Sequence, residues 1–223
     1  MTRTWFVTGT DTGIGKTFAS VALLHALRGR GLRAVGMKPV AAGCEPTPEG
    51  WRNEDALALR AASEPVPAYA DVNPFALPAA TAPQLAARET GIEVTLPPLL
   101  SAYSRLVASA DAVVVEGAGG WLAPMGDGLE QAAMAHAVGG KVLLVVGLRL
   151  GCLSHARLTA RAIAADGCTL AGWIGNRIDP EFERVDDYLT LLRDALPAPC
   201  LGVLGHGVDA ATAAAAIAVD PLV

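Results

Sequence analysis

Charge is scarce in this chain: Asp, Glu, Lys and Arg make up 17% of its 223 residues, against 52% apolar residues. That balance excludes an intrinsically disordered protein and leaves enough apolar surface for a sizeable core. Basic runs are missing as well; none exceeds two residues, and the formal net charge is −5. Nucleic acid and acidic membrane surfaces are therefore not expected as the main partner, although a local basic site for an anion is compatible with the balance. The four cysteines, Cys44, Cys152, Cys168 and Cys200, form no Cys-x-x-Cys pair and have no histidine at metal-finger spacing. Reduced, buried thiols are expected. The chain opens without a basic segment, apolar core and small-residue cleavage site, and Val142–Val146 is far too short to cross a bilayer. A cytoplasmic protein with no membrane segment is expected, as one domain over residues 1–223.

What is present is more specific. Residues 9–17 read Gly-Thr-Asp-Thr-Gly-Ile-Gly-Lys-Thr, directly after the apolar run Trp5-Phe6-Val7. A strand, a glycine-rich loop and Lys-Thr opening a helix form an arrangement that holds the phosphates of a nucleoside triphosphate: backbone N–H groups meet the anionic oxygens. Lys16 supplies a charge for the β- and γ-phosphates, and the Thr17 hydroxyl can ligate Mg²⁺. The loop is one residue longer than the strict pattern, since Thr10 stands where the first glycine would fall. The alternative is a glycine-rich turn with a solvated Lys16.

Short β-branched runs alternate with alanine- and leucine-rich stretches. Strands are predicted at Thr4–Thr8, Ala34–Lys38, Ala112–Glu116, Val142–Val146, Leu170–Ile174 and Cys200–Val203. Helices are predicted at Lys16–Arg28, Glu54–Ala62, Leu99–Ala108, Leu129–Ala137, Ser154–Ala165 and Glu181–Leu192. The 112–115 and 142–146 runs are apolar on both faces, as in the interior of a parallel sheet covered on both sides. The fold class is then α/β, a doubly wound, mostly parallel sheet. Residues 63–98, rich in proline and alanine without clear periodicity, are expected to run as a long surface excursion. The alanine-rich 210–218 tail reads as a short helix or a frayed end.

Ligands of such sheets sit beyond the carboxyl ends of the strands, so polar residues just after strands become site candidates. Lys38 leaves the second strand and can neutralise a phosphate or another anion. Glu116 ends an apolar strand beside the loop, where a Mg²⁺-holding carboxylate is usual, and the glycines after it let backbone approach a ligand. Asn53 suits an N-cap. Asp55 reads equally as a first-turn acid favoured by the helix dipole or as a second Mg²⁺ ligand. Asn176 can pair with an adenine edge or cap a turn. Ser154 suits an N-cap, and His155 reads as structural or subunit-contacting, since no acid or nucleophile is placed to work with it.

Taken together, Phe6-Val-Thr-Gly-Thr-Asp-Thr-Gly-Ile-Gly-Lys-Thr, Lys38-Pro-Val-Ala-Ala-Gly, Thr47-Pro-Glu-Gly-Trp-Arg-Asn-Glu-Asp-Ala, Val72-Asn-Pro, Val115-Glu-Gly-Ala-Gly-Gly-Trp, Val146-Gly-Leu-Arg-Leu-Gly-Cys-Leu-Ser-His-Ala and Leu170-Ala-Gly-Trp-Ile-Gly-Asn resemble the dethiobiotin synthetase family. The resemblance runs over nearly the whole chain and implies a P-loop NTPase-like fold. It implies an ATP- and Mg²⁺-dependent ligase that turns 7,8-diaminononanoate and CO₂ into dethiobiotin through a carbamate and a carbamic-phosphoric anhydride. By resemblance, Thr17, Asp55 and Glu116 match the metal ligands, and Lys16 and Lys38 the lysines around the γ-phosphate and carbamate. Thr12 matches a loop contact to substrate and phosphate, giving Lys38, Lys16 and Thr12 as the catalytic set. Gly13, Ile14, Gly15, Lys16, Thr17 and Phe18, then Glu116, Gly117, Ala118 and Gly119, match nucleotide-contacting stretches, and Asn176 the adenine reader. Ala42 falls at a substrate contact. Gly151, Cys152 and Leu153 match a stretch that encloses the partner subunit's substrate, so a homodimer is implied.

The chain departs from the family pattern at Ala42, where serine is common, and at Gly205-His206, where Pro-Trp is common. Three other classes fit less well. P-loop amidases of the diamide-synthetase kind carry a glutaminase domain for which 223 residues leave no room. Partition-type ATPases carry a second lysine early in the loop, where Thr10, Asp11 and Thr12 stand here. An inactive relative would not be expected to keep Lys16, Thr17, Lys38, Asp55 and Glu116 together.

Overall fold

The computed structural model describes residues 2–222; Met1 and Val223, the ends of the expected domain, lie outside the described residues. In chain order the elements begin β1 (Arg3–Gly9), α1 (Lys16–Gly29), β2 (Ala34–Met37), β3 (Val40–Ala42), β4 (Glu45–Thr47), β5 (Gly50–Arg52) and α2 (Glu54–Ala62). They continue with α3 (Tyr69–Val72), β6 (Phe75–Leu77), α4 (Pro83–Thr90), α5 (Leu96–Ser109), β7 (Ala112–Gly120), α6 (Gln131–Ala137) and β8 (Lys141–Gly147). The last are α7 (Cys152–Ala165), β9 (Leu170–Asn176), α8 (Val185–Ala195), β10 (Cys200–Leu204), α9 (Ala210–Ala213) and a 3₁₀ turn (Ala214–Ala216).

Six strands form one sheet in the order β10-β9-β8-β1-β7-β2, and every pairing in it is parallel. Period-two alternation sends the residues of β7 to opposite faces. Val114 joins Trp5, Val7, Leu143 and Val145 under Leu23, Leu24 and Leu27 of α1. Val113 and Val115 join Phe6 and Val142 under Leu99, Ala102 and Leu106 of α5. Leu144, Val146 and Trp173 pack against Ala156 and Ala160 of α7 and Leu189 and Leu192 of α8. Helices cover both faces, and the central strands are apolar throughout for that reason. No helix among the described residues is long and apolar enough to cross a membrane.

The differences from expectation have local causes. Helix α5 starts at Leu96 rather than Leu99, because Pro97 and Pro98 fall in its first turn, where a missing N–H has no intrahelical partner to lose. Helix α6 starts at Gln131, since Leu129 instead bridges Gly126. Helix α8 starts at Val185 rather than Glu181. Helix α7 starts at Cys152 with Gly151 as its N-cap, so Ser154 is inside it and does not cap. The 63–98 stretch is ordered into α3, β6 and α4, with β6 pairing parallel to β3, and β4 and β5 form a small hairpin. Each of those strands has only three residues, too few to show a period. The alanine-rich tail is a short helix whose neighbours Ile217, Val219 and Leu222 pack into the α1 side of the core.

Strand β2 is an edge, and its outer side is covered rather than left open. The buried Ser63 hydroxyl accepts the Gly36 N–H at 2.9 Å and donates to Leu59 O at 2.7 Å. The Glu64 N–H donates to Ala34 O at 2.9 Å, and the Lys38 N–H to Val72 O at 2.8 Å. Ser63→Ala would leave the Gly36 N–H buried without an acceptor. It is expected to destabilise the protein by about 1–3 kcal/mol, read as a lower urea midpoint; an unchanged midpoint would show that the edge is held without it.

Candidate active site

The loop between β1 and α1 returns over the end of β1. Gly15 ends it with φ of +79°, in the left-handed region, and a Cβ there would run into the Asn176 amide, so the position admits glycine on both counts. No side chain caps α1. The first N–H groups of that helix therefore remain for an anion, with the positive end of its dipole behind them. Asp11 organises the loop from its other end. Its carbonyl accepts Lys16 Nζ at 2.8 Å, its Oδ1 accepts the Thr12 N–H at 2.8 Å, and its Oδ2 pairs with Arg149 at 2.6 Å.

Across from the loop sits a buried charge cluster. Lys38 Nζ is 2.6 Å from Glu116 Oε1 and 2.9 Å from Asp55 Oδ2. The Thr17 hydroxyl donates to the same Glu116 oxygen at 2.8 Å. Lys38 is 5% exposed and Glu116 is fully buried. Burial pulls the Lys38 ammonium toward neutrality, but the negative charges of Glu116 and Asp55 outweigh it and hold its pKa above the ordinary value. For Asp55, burial acts upward and the Lys38 charge and hydrogen bond outweigh it, so the carboxyl is held below its ordinary range. Lys16 lacks a carboxylate in contact. Burial first, then the positive charge of Lys38, lowers its pKa to about 8.

A polar relay places Lys38 and Asp55. Asn73 donates from Nδ2 to Lys38 O at 2.7 Å and accepts at Oδ1 from the Tyr69 hydroxyl at 3.1 Å. That hydroxyl accepts the Asn53 N–H at 2.8 Å. Asn53 caps α2, accepting the Ala56 N–H at 3.2 Å, which sets Asp55 in the first turn facing Lys38. The Arg52 guanidinium lies over the Tyr69 ring, 4.2 Å from its centroid. Tyr69 and Asn73 have no sequence signal beyond the Val72-Asn-Pro segment, because the relay joins residues 16 to 35 positions apart.

The cluster opens into a cavity of about 760 Å³. Thr12, Gly13, Gly15, Lys16, Thr17, Lys38, Ala42, Asp55, Glu116, Ala118 and Gly119 line it, so the structure brings these candidates together. Gly15, Gly13, Phe18 and Asn176 line an adjoining cavity of about 310 Å³ with Gly205 and His206. There the Asn176 Nδ2 donates to Ile14 O at 2.9 Å, so one of its two donors is spent on the loop. Ile14 is buried in the core, and Gly117 lies beneath the wall rather than in it. Gly151, Cys152 and Leu153 line neither cavity; they open α7, with Cys152 buried. Among the described residues no three His, Cys, Asp or Glu side chains gather as a metal site. The Thr17, Asp55 and Glu116 oxygens fit Mg²⁺ nonetheless. The set is all oxygen, and Glu116 Oε2 is buried with no partner. Mg²⁺ takes one or two carboxylates together with phosphate and water oxygens.

Lys16 is costly to the fold while charged. Its pKa falls from 10.5 unfolded to about 8 folded, so the unfolded chain binds more protons between those values and stability rises with pH across that window. Lys16→Met is therefore expected to stabilise the protein at pH 7 by about 1–3 kcal/mol, with the difference shrinking toward pH 10. Thermal melts at the two pH values check this, and a Met variant less stable at pH 7 would contradict it.

Residues 3–208 match the family model described as an AAA domain. The chain is 59% identical over 212 residues to the ATP-dependent dethiobiotin synthetase BioD of Xanthomonas oryzae pv. oryzae (strain PXO99A), covering 95% of each. It is 59% identical over 214 residues to that of Xylella fastidiosa (strain 9a5c), again covering 95% of each. Among solved structures it resembles the signal recognition particle receptor FtsY of Elizabethkingia anophelis in complex with GDP, with a TM-score of 0.52 at 19% identity. FtsY of Thermotoga maritima gives a TM-score of 0.55 at 17% identity. The likeness covers 97% and 98% of this chain but only 63% and 69% of those two chains, and it shows a shared P-loop NTPase-like fold alone. The near-full-length relatives decide the matter: the chain belongs to the family of ATP-dependent dethiobiotin synthetases and is an ATP-dependent ligase of biotin synthesis.

Proposed function

We propose that this chain closes the ureido ring of dethiobiotin, converting 7,8-diaminononanoate, CO₂ and ATP to dethiobiotin, ADP and phosphate, within the one domain over residues 1–223. The supporting observation is the composition of the large cavity. Two lysines and two acids meet at one end, small residues (Ala41, Ala42, Ala80 and Ala123) extend from it, and no Cys, Ser or His lines it. A protein nucleophile is not needed when the substrate carries two amines.

In this reading one amine attacks CO₂ and loses a proton to give a carbamate. A carbamate oxygen takes the γ-phosphoryl group as ADP leaves. The second amine then attacks the carbonyl carbon, expels phosphate and closes the ring. The helix N-terminus, Lys16 and the loop N–H groups hold the triphosphate. Thr12 reaches from the loop toward the phosphoryl group and substrate. Lys38 carries positive charge to the reacting centre, where a preorganised ammonium in a water-poor site stabilises developing negative charge. Thr17, Asp55 and Glu116 would hold Mg²⁺, which supplies charge neutralisation on the phosphate oxygens. Phe18 and Asn176 would face the base. In a homodimer the 151–153 segment of a partner copy would close the substrate end; Leu150 and Leu158 beside it, 78% and 61% exposed, support an interface there.

The decisive experiment is an ADP-release assay with purified protein. Release is expected to require both diaminononanoate and bicarbonate; release that ignores the diamine would overturn the reading. Lys38→Gln is expected to keep nucleotide affinity while kcat falls by about 10²–10³, and an unchanged kcat would remove Lys38 from the chemistry.

A further inference from the structure

Gln131, at the start of α6, has no role so far. Its side chain is fully buried, and its Nε2 lies 2.6 Å from Ala118 O, 2.5 Å from Gly120 O and 3.4 Å from Ala123 O. One amide thus gathers the Ala118 and Gly120 carbonyls at the end of β7 and the Ala123 carbonyl of the turn beyond it. Because all three are acceptors, the donor end of the amide must face them, and Oε1 is left buried with no partner. Gly117 makes room for this: a Cβ there would collide with Gln131 Oε1 and sit 3.1 Å from Cδ. The first glycine after Glu116 therefore serves the approach of this side chain, not the approach of a ligand.

The clamped loop is a wall of the large cavity. Ala118, Gly119 and Ala123 line it, a Cβ on Gly119 would meet Thr12 Oγ1 at 3.4 Å, and Gly120 packs against the Gly9 carbonyl. Sheet hydrogen bonds hold β7 only to its end. Beyond Gly120 the chain turns, and Ala123 N–H to Gly120 O is its one local backbone bond before Met125. Trp121, buried against Phe6 with its indole N–H donating to Asp166 at 2.6 Å, anchors the outer end of the turn, and the Gln131 amide fixes the cavity-facing carbonyls before and within it. We propose that Gln131 is a positioning residue that sets the substrate-side wall of the active site through the carbonyls of Ala118, Gly120 and Ala123; Ala118 and Gly119, which the resemblance matches to nucleotide contacts, line the large cavity together with Ala123 and not the cavity beside Asn176. This rests on the ligase reading above. The phosphate-holding groups, Gly13 to Phe18, lie in the loop after β1 and the first turn of α1 and are not held by it.

Gln131→Met keeps the length and volume of the side chain and removes the donors. With wild type assayed in parallel, kcat/KM for diaminononanoate is expected to fall about 10- to 100-fold, while the Kd for ATP stays within about threefold. Amide hydrogen exchange is expected to quicken at residues 118–123 and not in α1. A folded variant with unchanged kcat/KM would overturn the inference. So would a parallel loss of ATP affinity, diamine kcat/KM and melting temperature, which marks a general packing role. If the Met variant does not fold, Gln131→Asn, which keeps an amide on a shorter stem, is read by the same two constants. A wild type that releases no ADP with the diamine would instead reject the ligase reading and leave the exchange result to judge the clamp.

Discussion

The buried pair of Lys38 and Glu116 is the constraint from which the rest of the site follows. Lys38 directly follows β2, Glu116 lies within the adjacent parallel strand β7, and they meet at 2.6 Å with 5% and 0% of their surface exposed. Removing two charges from water costs several kcal/mol per ion, and the fold tolerates this only because each charge answers the other and Asp55 adds a second acid. The geometry then propagates outward. Lys38 must leave β2 in one direction, so its backbone is bonded on both sides, by Val72 and Asn73. Asp55 must face it, so α2 is capped by Asn53 and tied to Tyr69.

Around that pair the parallel sheet does what parallel sheets do: it delivers loops to one edge. The phosphate loop follows β1, Lys38 follows β2, Glu116 and the clamped turn come from β7, and Asn176 ends β9. The carboxyl ends of the strands thus carry most of the site, with Asp55 added from the first turn of α2. The arrangement holds positive charge in excess of what the fold would choose. Lys16 is desolvated without a carboxylate in contact and its pKa drops to about 8, which is the sign of a group kept for a ligand's charge rather than for stability.

The sheet and the phosphate loop were legible because both are written in short-range patterns. Val113, Val114 and Val115 are apolar on consecutive positions only if both faces are covered, and Gly-Lys-Thr after a strand has few other uses. Asn53 was legible as a cap for the same reason. The three-residue strands, the early start of α5 and the glycine cap of α7 were not, because they hang on single positions or on tertiary pairing. Asp55 was ambiguous by spacing alone; its contact with Lys38 depends on how α2 docks. Tyr69 and Gln131 carried no signal, and Asn73 only that of the Val72-Asn-Pro segment. Each acts through hydrogen bonds to backbone 8 to 35 residues away, a separation that only the folded chain brings within reach.

A double-mutant cycle on Lys38 and Glu116, followed by urea unfolding, tests the central pair most directly. Lys38→Met alone, which leaves Glu116 buried beside Thr17 without its cation, is expected to cost about 3–5 kcal/mol. The double variant with Glu116→Gln is expected to be more stable than Lys38→Met alone, because the stranded charge is gone. Losses that simply add, to within about 0.5 kcal/mol, would contradict the pairing on which the site is built.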